Sequence, residues 1–127
     1  MSLAYTLGEL WDRWTIEHRK LQYGADNLYL VQTLEAAINE FAPSVANCFA
    51  IAELAMANDS ISVLEWQIRA DHKLSDEEVG IRAREIRKIN ARRVAAKNFI
   101  DGRESTFTPA LSIDLSKVNL AVPDSAK

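Results

Sequence analysis

Apolar residues recur along the first two thirds of this chain at steps of three and four, and near its end at steps of two. Thr6 and Glu9 form a T-x-x-E capping box, after which Leu7, Leu10, Trp11, Trp14, His18 and Leu21 repeat at helical spacing until Gly24. A second helix is predicted from about Asn27 to Phe41, with Val31, Leu34, Ile38 and Phe41 on one face and Pro43 as its stop. From Ser44 onward Val45, Cys48, Phe49, Ala52, Met56, Val63, Trp66 and Ala70 stay within about a third of the helical circumference at ~100° per residue. That unbroken phase predicts one long helix over 44–71, although Asn58-Asp59-Ser60 or a second capping box at Ser62 and Glu65 could restart it. Ser75 and Glu78 cap a last helix, which runs to about Asp101 and ends at Gly102.

After Gly102 the pattern changes to alternation. Leu111, Ile113 and Leu115 fall on odd positions, and Val118, Leu120 and Val122 on even ones. A turn at Ser116-Lys117 would bring all six onto one face of a short hairpin; an extended arm docked on the bundle or on a second subunit fits equally well. The organisation expected is an all-α, antiparallel bundle of about four helices over 1–102, followed by an extended tail over 103–127.

Helical phase also sets a question about polar residues. In the last helix Val79, Ala83, Ile86, Asn90 and Val94 share one narrow arc that includes Lys97, with Arg93 at its edge. His18 falls in the apolar stripe of the first helix and Asp59 in that of the long one. A buried cation needs a hydrogen-bonded anion, so Lys97 or Arg93 is expected to meet a carboxylate from Asp12, Asp59 or Glu65. Such a cluster is either a network that fixes helix register or a ligand pocket between helices. A second set of apolar positions, Ile16 and Tyr23 on the first helix and Leu54, Ile61 and Ile68 on the long one, lies away from the main stripes. Helices apolar on two sides are sandwiched between neighbours, which points to a homo-oligomer, a dimer or larger.

Composition narrows the class further. The 127 residues are 48% hydrophobic and 26% charged, with only 4 Gly and 3 Pro, a balance that suits one helical domain. A net charge of −3 gives no overall attraction to nucleic acid, and no window of ~20 residues is free of charge, so no membrane span is expected. The N-terminal segment lacks the basic and continuous apolar regions of a signal peptide. Cys48 is the single cysteine, lies in an apolar run and is expected to be buried; no internal disulfide can form, as suits a reducing cytoplasm.

Catalytic signatures are absent: there is no phosphate-binding glycine loop, dinucleotide fingerprint, nucleophile elbow or paired His/Cys spacing. Glu77 and Glu78 stand together at a helix start, where capping explains them, and no facing pair of acidic helices is found. Neither a metal nor a cofactor is therefore expected. From Arg82 to Lys97 seven basic residues face one acid, Glu85, with Arg84, Lys88 and Arg92 on an outward stripe.

Three segments resemble a small, uncharacterised bacterial helical family associated with glycosyltransferase and surface-polysaccharide proteins. "LGELWDRWTIEHRKL" matches its G-E-L-[IV]-D-K-[IL]-T-I-L-x-x-K-L opening at Gly8, Glu9, Leu10, Asp12, Thr15, Ile16, Lys20 and Leu21, with Arg13 in place of lysine. "NDSISVLEWQIR" is similar to its N-x-x-L-W-x-I-E-D-x-I-R helix at Asn58, Glu65, Ile68 and Arg69. "INARRVAAKNFI" is similar to its N-x-x-R-x-x-x-K-x-x-I stretch at Asn90, Arg93, Lys97 and Ile100. Ser62 stands where that family has tryptophan and Trp66 where it has an acid, so a site using that acid does not carry over. The resemblance implies a bundle in which Asp12 and Glu65 meet Asn90, Arg93 and Lys97, and it brings no established activity. The function expected is a non-enzymatic oligomeric interaction or accessory module linked to surface-polysaccharide assembly. The alternative is a small enzyme or binder of a phosphorylated or nucleotide-linked metabolite, with Arg93 and Lys97 on the anion.

Overall fold

The computed structural model describes residues 5–107, and the alternating segment that follows lies outside them. Within that range the chain is all-α, with four helices and no strand: α1 (Leu7–Gln22), α2 (Leu28–Ile38), α3 (Cys48–Ala70) and α4 (Asp76–Ile100), plus a 3₁₀ turn at Val45–Asn47 leading into α3. The end signals act as predicted. Thr6 Oγ1 accepts from the Glu9 amide and Ser75 Oγ from the Glu78 amide, and Gly24 and Gly102 follow their helices at φ +94° and +72°, the left-handed geometry that closes a helix C-terminus. The stretch Asn58-Asp59-Ser60 does not interrupt α3. The second helix is shorter than expected: Asn39 caps it, and Phe41, beyond its end, is exposed.

α3 and α4 form the antiparallel pair with the most extensive packing, and α1 lies across both. Small residues allow this close approach. Ala50, Ala57 and Ala96 are fully buried, with Leu54 and Ile100 beside Ala50 and Ala96; Leu7, Trp11, Ile51, Phe99 and Phe107 close over them. A second cluster of Leu10, Leu34 and Ile38 joins α1 to α2, roofed by Trp11 and Trp14.

Packing corrects the predicted helical faces. On α3 the inward residues are Ala50, Glu53, Leu54, Ala57 and Asn58, whereas Val45, Phe49 and Trp66 of the expected core stripe are 88, 72 and 65% exposed. Cys48 is exposed as well. The supposed secondary stripe beginning at Leu54 is the one that enters the core, because its small and aliphatic neighbours fit against α4 whereas Phe49 and Trp66 are too bulky for that seam. On α4 Ile89, Ala96 and Ile100 are buried while Ala83, Asn90 and Val94 are exposed. The inward face is thus turned by roughly 80° from the predicted arc at ~100° per residue, which brings Arg93, at the edge of that arc, toward the buried side while Lys97 stays partly enclosed beside it.

Candidate functional site

Asp12 is the centre of the polar cluster. It lies one turn into α1, 5% exposed, on the face that crosses α3 and α4. Arg93 approaches from α4 with a two-pronged grip, Nε to Oδ1 at 2.9 Å and Nη2 to Oδ2 at 3.0 Å. This is the fork geometry in which a guanidinium and a carboxylate are matched in shape as well as charge. From α3, Asn58 Nδ2 donates to the same Asp12 Oδ1 at 2.9 Å and to Thr15 Oγ1 at 2.9 Å. Thr15 in turn donates to the Asp12 carbonyl at 2.8 Å. Three helices are therefore tied at one carboxylate, and Asp12, Thr15 and Asn58 are all buried.

The cations are less enclosed. Arg93 and Lys97 side chains keep 28 and 25% of their surface. Lys97 Nζ stands 3.9 Å from Asp12 Oδ2, an ion pair without hydrogen-bond contact. Asn90 is exposed yet holds the outer edge of Arg93, accepting from Nη1 at 2.9 Å. With Nε and Nη2 on Asp12 and Nη1 on Asn90, each nitrogen of the guanidinium has a partner within the protein.

The remaining expected members lie elsewhere. Asp59 points outward, its side chain 57% exposed, and takes a 2.7 Å bond from Arg19 Nε while Arg19 Nη1 reaches Ser62. Glu65 is exposed, about two turns beyond Asn58 along α3. His18 is half-buried and stacks on Trp14 at 4.5 Å, apart from the Asp12 cluster. The expected cluster therefore contracts to Asp12, Asn90, Arg93 and Lys97, and Thr15 and Asn58 enter it unforeseen. Their signal was present in the matched segments, where both are polar positions, but the helical phase used for α3 had placed Asn58 outside the core arc.

A second carboxylate also went unnoticed. Asp101, at the end of α4, accepts from the Gly8 amide at 2.7 Å and from Thr6 Oγ1 at 2.8 Å, so the end of one helix caps the start of another. Gly8 makes this possible: a Cβ there would lie 2.7 Å from the Lys97 carbonyl oxygen and 2.9 Å from both Asp101 carboxylate oxygens.

Beside this junction an apolar cleft of about 410 Å³ opens between the start of α1, the end of α2 and the start of α3, walled by Leu7, Trp11, Ile38, Phe41, Cys48 and Ile51. It contains none of the cluster's charged groups. Among the described residues no group of three His, Cys, Asp or Glu side chains is placed to hold a metal ion, and no helix is long and apolar enough to cross a membrane. No family model, curated protein or solved structure matches this chain.

Proposed function

We propose that the protein is a non-enzymatic, oligomeric interaction or accessory module that works through the outward face of α3. The observation that carries this reading is the apolar row Phe49, Met56, Val63 and Trp66, each exposed, on a helix whose opposite face is already packed, with exposed Val45 on the turn that leads into it. A largely apolar row of this kind, broken by Asp59 with its Arg19 partner, is costly to leave in water and is a common mark of a protein contact. Surface-polysaccharide assembly is the cellular setting we assign, on the resemblance of the three helical segments alone.

The alternative, recognition of an anionic metabolite by Arg93 and Lys97, has weaker support. Arg93 is held by Asp12 and Asn90, so an incoming phosphate would have to displace a buried carboxylate's best partner. Two measurements separate these readings. Capture experiments with the wild-type chain and with Phe49→Lys/Trp66→Lys are expected to differ, the variant losing its bound partners or its self-association. A thermal-shift series with sugar nucleotides is expected to be flat; stabilisation by ~2.7 kcal/mol at about 100 times a dissociation constant would favour the metabolite reading instead.

A further inference from the structure

We infer that the occupant of the α3 face is a second copy of this chain, its α3 running antiparallel to the first about a two-fold axis level with Ala57 and Asn58. This rests on the interaction-module reading and names its partner. The row follows alternating steps of four and three, Val45, Phe49, Ala52, Met56, Asp59, Val63, Trp66 and Ala70, the spacing of a helix seam made to meet another helix. It is also close to a palindrome in size. An aromatic residue stands at each end, Phe49 and Trp66, a smaller one inside each, Ala52 and Val63, and Met56 and Asp59 flank the middle. Antiparallel pairing sets Phe49 against Trp66 of the other copy, Ala52 against Val63 and Met56 against Asp59, so one surface matches itself, as a two-fold interface requires.

Charge selects this direction over the parallel one. A parallel, in-register pair would set Asp59 directly against Asp59 and align the two helix dipoles. The antiparallel pair sets each Asp59 opposite Met56, and the charge is already drawn to the flank of the row by Arg19 at 2.7 Å. On the flank away from α1, Ala46 and Ser60 are small and uncharged, while on the α1 flank Arg19 is engaged by Ser62 at 2.9 Å and by Asp59.

The area fits a weak dimer. With Phe49 72% and Trp66 65% exposed, the two aromatics offer roughly 300 Å². Val45, Ala52, Met56 and Val63 raise this to on the order of 500 Å² per copy, or about 1,000 Å² in the pair, the lower bound of a specific interface.

Sedimentation equilibrium of the full chain at roughly 10–100 μM, the range such an interface supports, is expected to give twice the monomer mass of 14.2 kDa. Phe49→Lys/Trp66→Lys is expected to give the monomer mass, with dissociation weakened at least ~100-fold and helix content unchanged, because neither side chain is in the core. In a Cys48→Ala background, oxidation should cross-link Ala52→Cys/Val63→Cys chains into dimers and leave Ala52→Cys alone uncross-linked. Cross-linking of the single variant would mean a parallel pair, and a wild-type monomer at ~100 μM would mean none; either overturns the inference. A monomeric wild type whose Phe49→Lys/Trp66→Lys variant still loses a captured heterologous protein would overturn the pairing but keep the interaction module. A monomer with no such loss would remove both.

Discussion

Asp12 shows how position in a network, more than formal charge, sets the worth of a residue. It accepts from Arg93 twice and from Asn58, while Lys97 stands off at 3.9 Å with a quarter of its side chain in water. Removing the carboxylate strands a partly buried guanidinium, whereas removing Lys97 takes away only a 3.9 Å ion pair that carries no hydrogen bond. Asp12→Ala is therefore expected to lose about 3 kcal/mol in urea unfolding, and Lys97→Ala to stay within about 1 kcal/mol. Arg93→Met should resemble Asp12→Ala, because the stem's packing survives but Asp12 and Asn58 lose their charged neighbour. Equal losses for Lys97→Ala and Arg93→Met would mean that the lysine neutralises Asp12 as much as the arginine does.

Between helices the decisive contact is Gly8 against the last turn of α4. The Thr6 cap, the Gly8 amide and the Asp101 carboxylate form one joint, and it closes only because no side chain separates α1 from the Lys97 carbonyl. Gly8→Ala must push the two helices apart and is expected to cost about 1–3 kcal/mol despite alanine's better helix propensity. Gly80, on the same α4, is the contrast, since a Cβ there meets only the mobile end of Arg84 at 3.4 Å. Gly80→Ala is expected to raise stability by about 0.5–1 kcal/mol. Thermal melts of the two variants test the joint directly, and opposite signs are the expected outcome.

On the scale of the whole molecule, the core and the outward row compete for the same kind of residue. The interior is built from Ala50, Ala57, Ala96, Leu54 and Ile100, while Phe49 and Trp66 remain outside. A single copy thus leaves Phe49 and Trp66 largely in water, and the proposed association through α3 would supply the missing burial. If two copies pair through α3, the melting temperature should climb as protein concentration rises from ~1 to ~100 μM, by mass action, and the Phe49→Lys/Trp66→Lys variant should show a flat dependence over the same range.

Local chemistry determined the helix count and nearly all the helix limits. Capping boxes at Thr6 and Ser75, the glycines at 24 and 102 and the break at Pro43 act within a few residues of where they stand, so no distant contact was needed to read them. That a cation of the last helix meets a carboxylate was also legible, because an inward cation needs an anion, but Asp12 was one of three candidates with Asp59 and Glu65. Which face turns inward was not. α3 is apolar on two sides, and its aromatic, bulkier row is the outer one, so periodicity alone favoured the wrong side. The choice is made by volume: the alanines of α3 and α4 let their backbones approach, and Phe49 or Trp66 in that seam would hold them apart. That rotation carries Asn58 into the cluster and takes Asp59 out of it, and on α4 it makes Arg93 the residue that grips Asp12. The Gly8–Asp101 joint likewise depends on two residues 93 positions apart. Their meeting follows from the packing of α1 on α4, which no local pattern encodes.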